Sequence, residues 1–159
     1  MRFDKETPVW KVFSPEMHVS PFLEQRHSEL EAAGWKRRRG GSFMEAIGPL
    51  WARREDDRWI YGLLAHDGHL NPANAVHGGV LQTLIDHALS ALAWEAASRK
   101  ACVTIHADSQ FISAVRSGDF IVARGTPTRQ TRALVFMRGH LAADDVTVLS
   151  AQSIFKIVE

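Results

Sequence analysis

The spacing of apolar and polar positions changes along this chain, and each change predicts a different element. From Pro21 to Ala33, Phe22, Leu23, Leu30 and Ala33 make a modest stripe at helical spacing. Ser20 stands where an N-cap belongs, Pro21 suits a first helical position, Glu24 falls in the first turn and Gly34 ends the run. Residues 1–19 contain Pro8 and Pro15 and read as an irregular arm. From Phe43 the pattern predicts two strands, "FMEAIGPLWARRE" and "DRWIYGLLAHDG", joined by a turn at Glu55 to Asp57. Residues 78–98 read as one long helix. Four more strands follow: "CVTIHADSQFISA", "DFIVARGTPTRQ", "ALVFMRGHLAAD" and "VTVLSAQSIFKIV". The turn signals "SGD", "TR" and "DD" separate them. The expectation is an α+β chain, with the long helix packed on one face of a six-stranded antiparallel sheet. An N-terminal arm and helix would occupy 1–42, and the main domain 43–159. No repeat, low-complexity tract or long linker divides the sequence.

The long helix is the informative element. Placed at 100° per residue, Val80, Leu81, Leu84, Ile85, Ala88, Leu89, Ala91 and Leu92 share a broad apolar arc. Gly79, Gln82, Thr83, Asp86, His87 and Ser90 share the complementary arc. That arc is narrow and nearly uncharged, whereas a solvent face would carry Lys, Glu and Arg. It suits a pocket or another protein surface. Asp86 lies near its middle. The wheel alone favours a structural carboxylate, bonded to Thr83, Ser90 or nearby backbone, because an unpaired buried carboxylate costs several kcal/mol. Gly78 and Gly79 open the helix, where free N–H groups and the positive end of the dipole gather. They suit either a tight strand-to-helix turn or an anion or developing oxyanion held on backbone N–H groups.

Composition narrows the classes. The 159 residues carry a net charge of +1, so no broad basic surface points to nucleic acid. There is one cysteine, Cys102, which excludes an internal disulfide and suits a reducing compartment. No apolar run of about 20 residues would span a membrane, and "MRFDKETPVW" has no apolar core of a secretory signal. The expected setting is the cytoplasm. "KRRRGG", 36–41, reads as a solvated basic turn or, alternatively, a contact for a phosphorylated ligand. His66 and His69 could ligate a metal with His87, but no acid or cysteine spacing supports one, so neither metal nor cofactor is expected. His87 reads instead as an interface or pocket residue. Trp51, Trp59, Trp94, Phe111 and Phe136 could line a pocket, with core packing the better reading for most.

Three segments, "NPANAVHGGVLQTLIDHAL", "VTIHADSQFISAVRSGD" and "FMRGHLAADDVTVLSAQSIFKI", resemble the hotdog-fold acyl-CoA thioesterases of the phenylacetic-acid-degradation (PaaI-like) branch. The likeness spans roughly residues 43–157. His-Gly-Gly followed by a helical acid is its more specific part. The resemblance implies one helix wrapped by the sheet, hydrolysis of an acyl- or aryl-CoA, and a set of roles. Asp86, nine residues after His77, would be the general base for water or the nucleophile forming a mixed anhydride. Gly78 would offer its N–H to the thioester carbonyl. Asn71 would place the carbonyl or the water, His77 would buttress the loop, and Thr104 would orient the water. Gly79, Gln82, His87 and His106 are the expected substrate contacts. Arg129 and Arg132 are the first candidates for the phosphates of CoA, Arg37 to Arg39 the second. Two positions depart from the family pattern. Asn74 replaces a usual loop glycine, and His106 stands where a carboxylate or other polar residue is frequent.

Gly78 and Asp86 are about 12 Å apart along one helix, too far to serve one carbonyl. Two antiparallel copies of the helix would bring Gly78 of one subunit to Asp86 of the other, so a homodimer with shared sites is expected, with a dimer of dimers as an extension. Two other readings stay open. One is a non-catalytic acyl-CoA sensor on the same fold, against which Asp86 and the lack of a DNA-binding helix pair argue. The other is a dehydratase or hydratase, whose catalytic His sits in a different loop context.

Overall fold

The computed structural model describes residues 21–158. The described residues fall into two compact units that divide between Ala33 and Gly34. In the first, helix α1 runs Pro21–Ala32. Pro21 opens it as expected, since its missing N–H is one the first turn leaves unpaired anyway. The Ser20 cap and the arm lie outside the described residues. Within α1, Glu29 accepts hydrogen bonds from Arg26 at 2.8 Å and Gln25 at 3.0 Å. Gly34, the expected stop, adopts φ 85°.

The second unit is a sheet around one helix. Its elements are β1 (Lys36–Arg38), α2 (Ser42–Ile47), β2 (Leu50–Glu55), β3 (Arg58–Leu64), α3 (Gly78–Ala96), β4 (Cys102–Phe111), β5 (Phe120–Gln130), β6 (Leu134–Ala143) and β7 (Val146–Ile157). The strands form one antiparallel sheet in the order β1-β2-β3-β5-β6-β7-β4. It has seven strands where the sequence predicted six. The added strand is "KRR", read above as a turn. It pairs with β2 at the sheet's edge, where exposed basic residues discourage further strand pairing. The sheet therefore begins before residue 43. A second difference is α2: Phe43 to Ile47, expected in a strand, form a short helix bracketed by Gly41 and Gly48 at positive φ.

Hairpins close as expected. Asp56 and Asp57, and then Asp144 and Asp145, all take positive φ, the geometry of a tight two-residue turn whose twist suits the strands on either side.

α3 lies on the inner face of the sheet. Its buried residues are Leu81, Leu84, Ile85, Ala88, Leu89, Leu92 and Ala93, largely the predicted arc. A notch in the sheet seats it. Gly125 of β5 pairs with Gly139 of β6, and a Cβ on Gly139 would lie 2.7 Å from both the Arg124 carbonyl and Leu89. A Cβ on Gly125 would lie 2.4 Å from Leu89. The two missing side chains let the helix approach the backbone, and this close fit fixes where Asp86 stands.

Candidate active site

The approach to α3 is built by local hydrogen bonds. Asn71 Oδ1 accepts from the N–H groups of Ala73 at 2.9 Å and Ala75 at 3.2 Å, folding the loop back on itself. Asn74 takes the left-handed conformation, φ 57°, that its place in the motif calls for. His77 is the N-cap of α3: its Nδ1 accepts from Gly79 N–H at 2.9 Å. That occupies the Gly79 donor. Gly78 N–H has no hydrogen-bond partner among the described residues. Gly78 opens onto an apolar cleft of about 390 Å³ lined with Val76, Leu81, Phe111 and Val115.

Asp86 lies two turns on, half-buried, and meets a different cleft of about 330 Å³. Its Oδ1 accepts a hydrogen bond from the Thr104 hydroxyl of β4 at 2.9 Å. Asp86 is thus partnered by a strand 18 residues away rather than by Thr83, whose hydroxyl donates to Gly79 O at 2.8 Å. Gln82, Thr83, His87 and Ser90 line the same cleft, as the polar arc suggested, together with Gly40, Phe43 and Met44. The His87 ring meets Tyr61 edge to face. Burial holds the His87 imidazole below its ordinary pKa, with the Asp86 carboxylate pulling the other way.

Not every candidate joins this group. β4 pairs with β7 through an irregularity: Thr104 opposes Phe155, but His106 opposes Ile154. One residue, Ile105, is inserted between the paired positions, so Thr104 and His106 fall on opposite faces of the sheet instead of the same one. His106 therefore points away from Asp86. Arg129 follows a second bulge, in β5, and Arg132 lies in the β5–β6 turn beside Lys100, in a cleft of about 640 Å³. Arg37 and Arg38 stack over Trp51 and Trp59, at 5.1 and 5.2 Å. Trp51 is in the core, and of the aromatics considered Phe111 alone borders a cleft with Gly78.

His66 and His69 have a structural task. Their rings stack at 3.7 Å. His69 Nε2 donates to Ile47 O at 2.5 Å, and its Nδ1 accepts the His66 N–H at 3.3 Å, which requires the neutral ring. His69 O in turn accepts from His77 N–H at 2.8 Å, so the residue ties the end of α2 to the start of α3. Among the described residues no group of three His, Cys, Asp or Glu is placed to hold a metal. Burial pushes His69 down to about 4. A group whose folded pKa is depressed below about 6.5 by exclusion of its charge favours the folded state fully above that value, and loses that contribution as pH falls toward 4. Thermal melting should therefore show a loss on the order of 3 kcal/mol from this group between those pH values. A His69→Asn variant should start less stable and show a shallower pH slope; an unchanged slope would assign it to other groups.

Sequence reasoning missed the wall formed by Gly40, Phe43 and Met44. The signal was present: glycine pairs with breakers, "GGSFMEAIGP", bracket a stretch too short for a central strand.

A model of the thioesterase superfamily matches residues 73–150, which include Asn74, the His-Gly-Gly motif, α3 and Thr104. The chain belongs to the thioesterase superfamily. As a member it is a thioester hydrolase. Its fold is the hotdog fold expected of that superfamily. A mutant form of the phenylacetic acid degradation protein PaaI from Thermus thermophilus is 20% identical, with a TM-score of 0.65 over 74% of this chain and 100% of that one. The PaaI protein of the E. coli phenylacetic acid degradation operon is 15% identical, with a TM-score of 0.60 over 86% and 88%. A hypothetical thioesterase protein of Streptococcus pneumoniae, solved with coenzyme A, is 18% identical, with a TM-score of 0.60 over 69% and 85%. These likenesses speak for the fold. No curated protein matches this superfamily member by sequence. None of its described helices is long and apolar enough to cross a membrane.

Proposed function

We propose that this thioesterase-superfamily chain hydrolyses the thioester of an acyl- or aryl-CoA to the free acid and CoA. The observation that carries the proposal is the 2.9 Å hydrogen bond by which Thr104 of β4 holds Asp86, an acid that lines a cleft, across two elements. Thr104 engages Oδ1, which leaves Oδ2 to accept a proton from water or to attack the carbonyl carbon. The Gly78 N–H, left free while His77 engages Gly79, polarises the carbonyl oxygen. The Asn71 carbonyl oxygen is committed to its loop, so its amide N–H groups are what it offers the carbonyl or the water. Arg132, with Arg129 as the next candidate, meets the CoA phosphates. CoA bound to the streptococcal fold neighbour supports that ligand class.

The site is shared within a homodimer. In one chain Gly78 and Asp86 border separate clefts, so neither cleft alone holds both groups. β4 ends the sheet and carries Val103, Ile105, Phe111 and, just beyond it, Ile112, 46 to 57% exposed. An open strand edge with apolar side chains is a surface that a second copy would cover. Two dimers would pair into a tetramer. The free thiol of Cys102 and a CoA substrate suit the cytoplasm.

The deciding experiment is thiol release from a panel of acyl-CoAs, followed with a thiol reagent. Saturable release from at least one of them is expected. Saturable binding with no release from any member would replace the enzyme by an acyl-CoA sensor on the same fold.

A further inference from the structure

We infer that the segment Gly40 to Met44 is the acyl-size gate of the Asp86 cleft, with Phe43 as the residue that limits chain length. The inference rests on the hydrolase reading above. The cleft has two walls. One consists of Gln82, Thr83, Asp86, His87 and Ser90, all on α3. The other consists of Gly40, Phe43 and Met44. An acyl group whose carbonyl is attacked at Asp86 lies against this second wall, because the α3 side already holds the carboxylate.

The wall is built for this position. Met44 is 3% exposed and anchors α2 in the core. Gly40 leaves the space that Met44 and His87 fill: a Cβ there would lie 2.7 Å from Met44 Cβ and 3.3 Å from His87 Cε1. With Met44 anchored, the next residue outward is Phe43, a large apolar side chain left 68% exposed while bordering the cleft. Packing inside the chain does not account for that exposure. An apolar acyl chain laid on Phe43 would remove it from water, at about fourfold in affinity per buried methylene. The ring also takes up room at the border of the cleft, so a longer chain has to pass it to gain further contact. The cleft therefore takes compact acyl groups. The segment precedes the stretch matched by the superfamily model, 73–150, so this selectivity belongs to the chain's own N-terminal part.

The test uses the full-length protein and two substitutions at one exposed position, Phe43→Ala and Phe43→Trp. kcat/KM is measured for straight-chain acyl-CoAs from butanoyl to dodecanoyl, and Kd for the matching non-hydrolysable thioether analogues. The dodecanoyl-to-butanoyl ratio should rise about tenfold in Phe43→Ala and fall in Phe43→Trp. Equal loss at every chain length would mean that Phe43 only supports the fold, and the gate would be wrong. A ratio unchanged within about twofold in both variants would also overturn it. If the wild type releases no thiol from any substrate, the hydrolase reading fails. The Kd ratios still decide the gate by the same criteria.

Discussion

Replacing Asp86 by asparagine leaves a folded protein that binds acyl-CoA and releases thiol about 10²- to 10⁴-fold more slowly. The size hardly changes, and the amide oxygen still accepts from Thr104, so the 2.9 Å contact between α3 and β4 survives. What is lost is the basic oxygen. An amide neither takes a proton from water at neutral pH nor forms an anhydride with the acyl group. Binding persists because the cleft walls and the cationic residues are untouched. Far-UV circular dichroism establishes the fold, a competition measurement establishes binding, and the thiol assay gives the rate. Turnover at the wild-type rate on the best substrate would remove Asp86 from the chemistry and return it to a structural carboxylate.

Two inactive variants should restore each other when mixed. Asp86→Ala lacks the base. Gly78→Pro lacks the N–H donor, and it suits its position for three reasons. Gly78 is the first residue of α3, where proline is tolerated. His77 has φ −61° and ψ 135°, the extended backbone that a following proline favours. An added Cβ would lie 3.2 Å from Phe111, whose ring is 57% exposed and free to give way. A mixed dimer contains one site with both defects and one with neither. Random exchange makes about half of the dimers mixed, and each carries one intact site of its two, so about a quarter of wild-type activity should return. Heterodimers that form from two well-folded variants yet stay inactive would place both groups of a site in one subunit.

The long helix was legible because burial imposes a period, and nineteen residues give that period room to show. The turns at Asp56–Asp57 and Asp144–Asp145 were legible because few residues tolerate positive φ there. α2 was not. Its apolar residues cover barely more than one turn, a length over which strand and helix spacing look alike. β1 escaped because an edge strand of three basic residues buries nothing. The face that His106 takes was not legible, because the bulge before it breaks the alternation of the strand without a mark in the sequence. Thr104 was named only by resemblance, as a residue to orient the water, and its hydrogen bond to Asp86 was not legible, since nothing local joins residues 18 apart. His69 drew notice as a possible ligand, but its partner, the Ile47 carbonyl, is a backbone atom and leaves no mark on side-chain chemistry.

The glycine notch under α3 has an evolutionary corollary. Gly125, Gly139 and Leu89 occupy one shared volume, so none of the three is free to change on its own. A side chain gained on either strand must be matched by atoms surrendered from the helix, and a lone gain displaces the helix together with its carboxylate. Related chains should thus exchange bulk among these three positions as a coupled set. Two such exchanges that look neutral in a stability assay would, on the proposed role of Asp86, still differ in rate, because its carboxylate is carried on the part that moves.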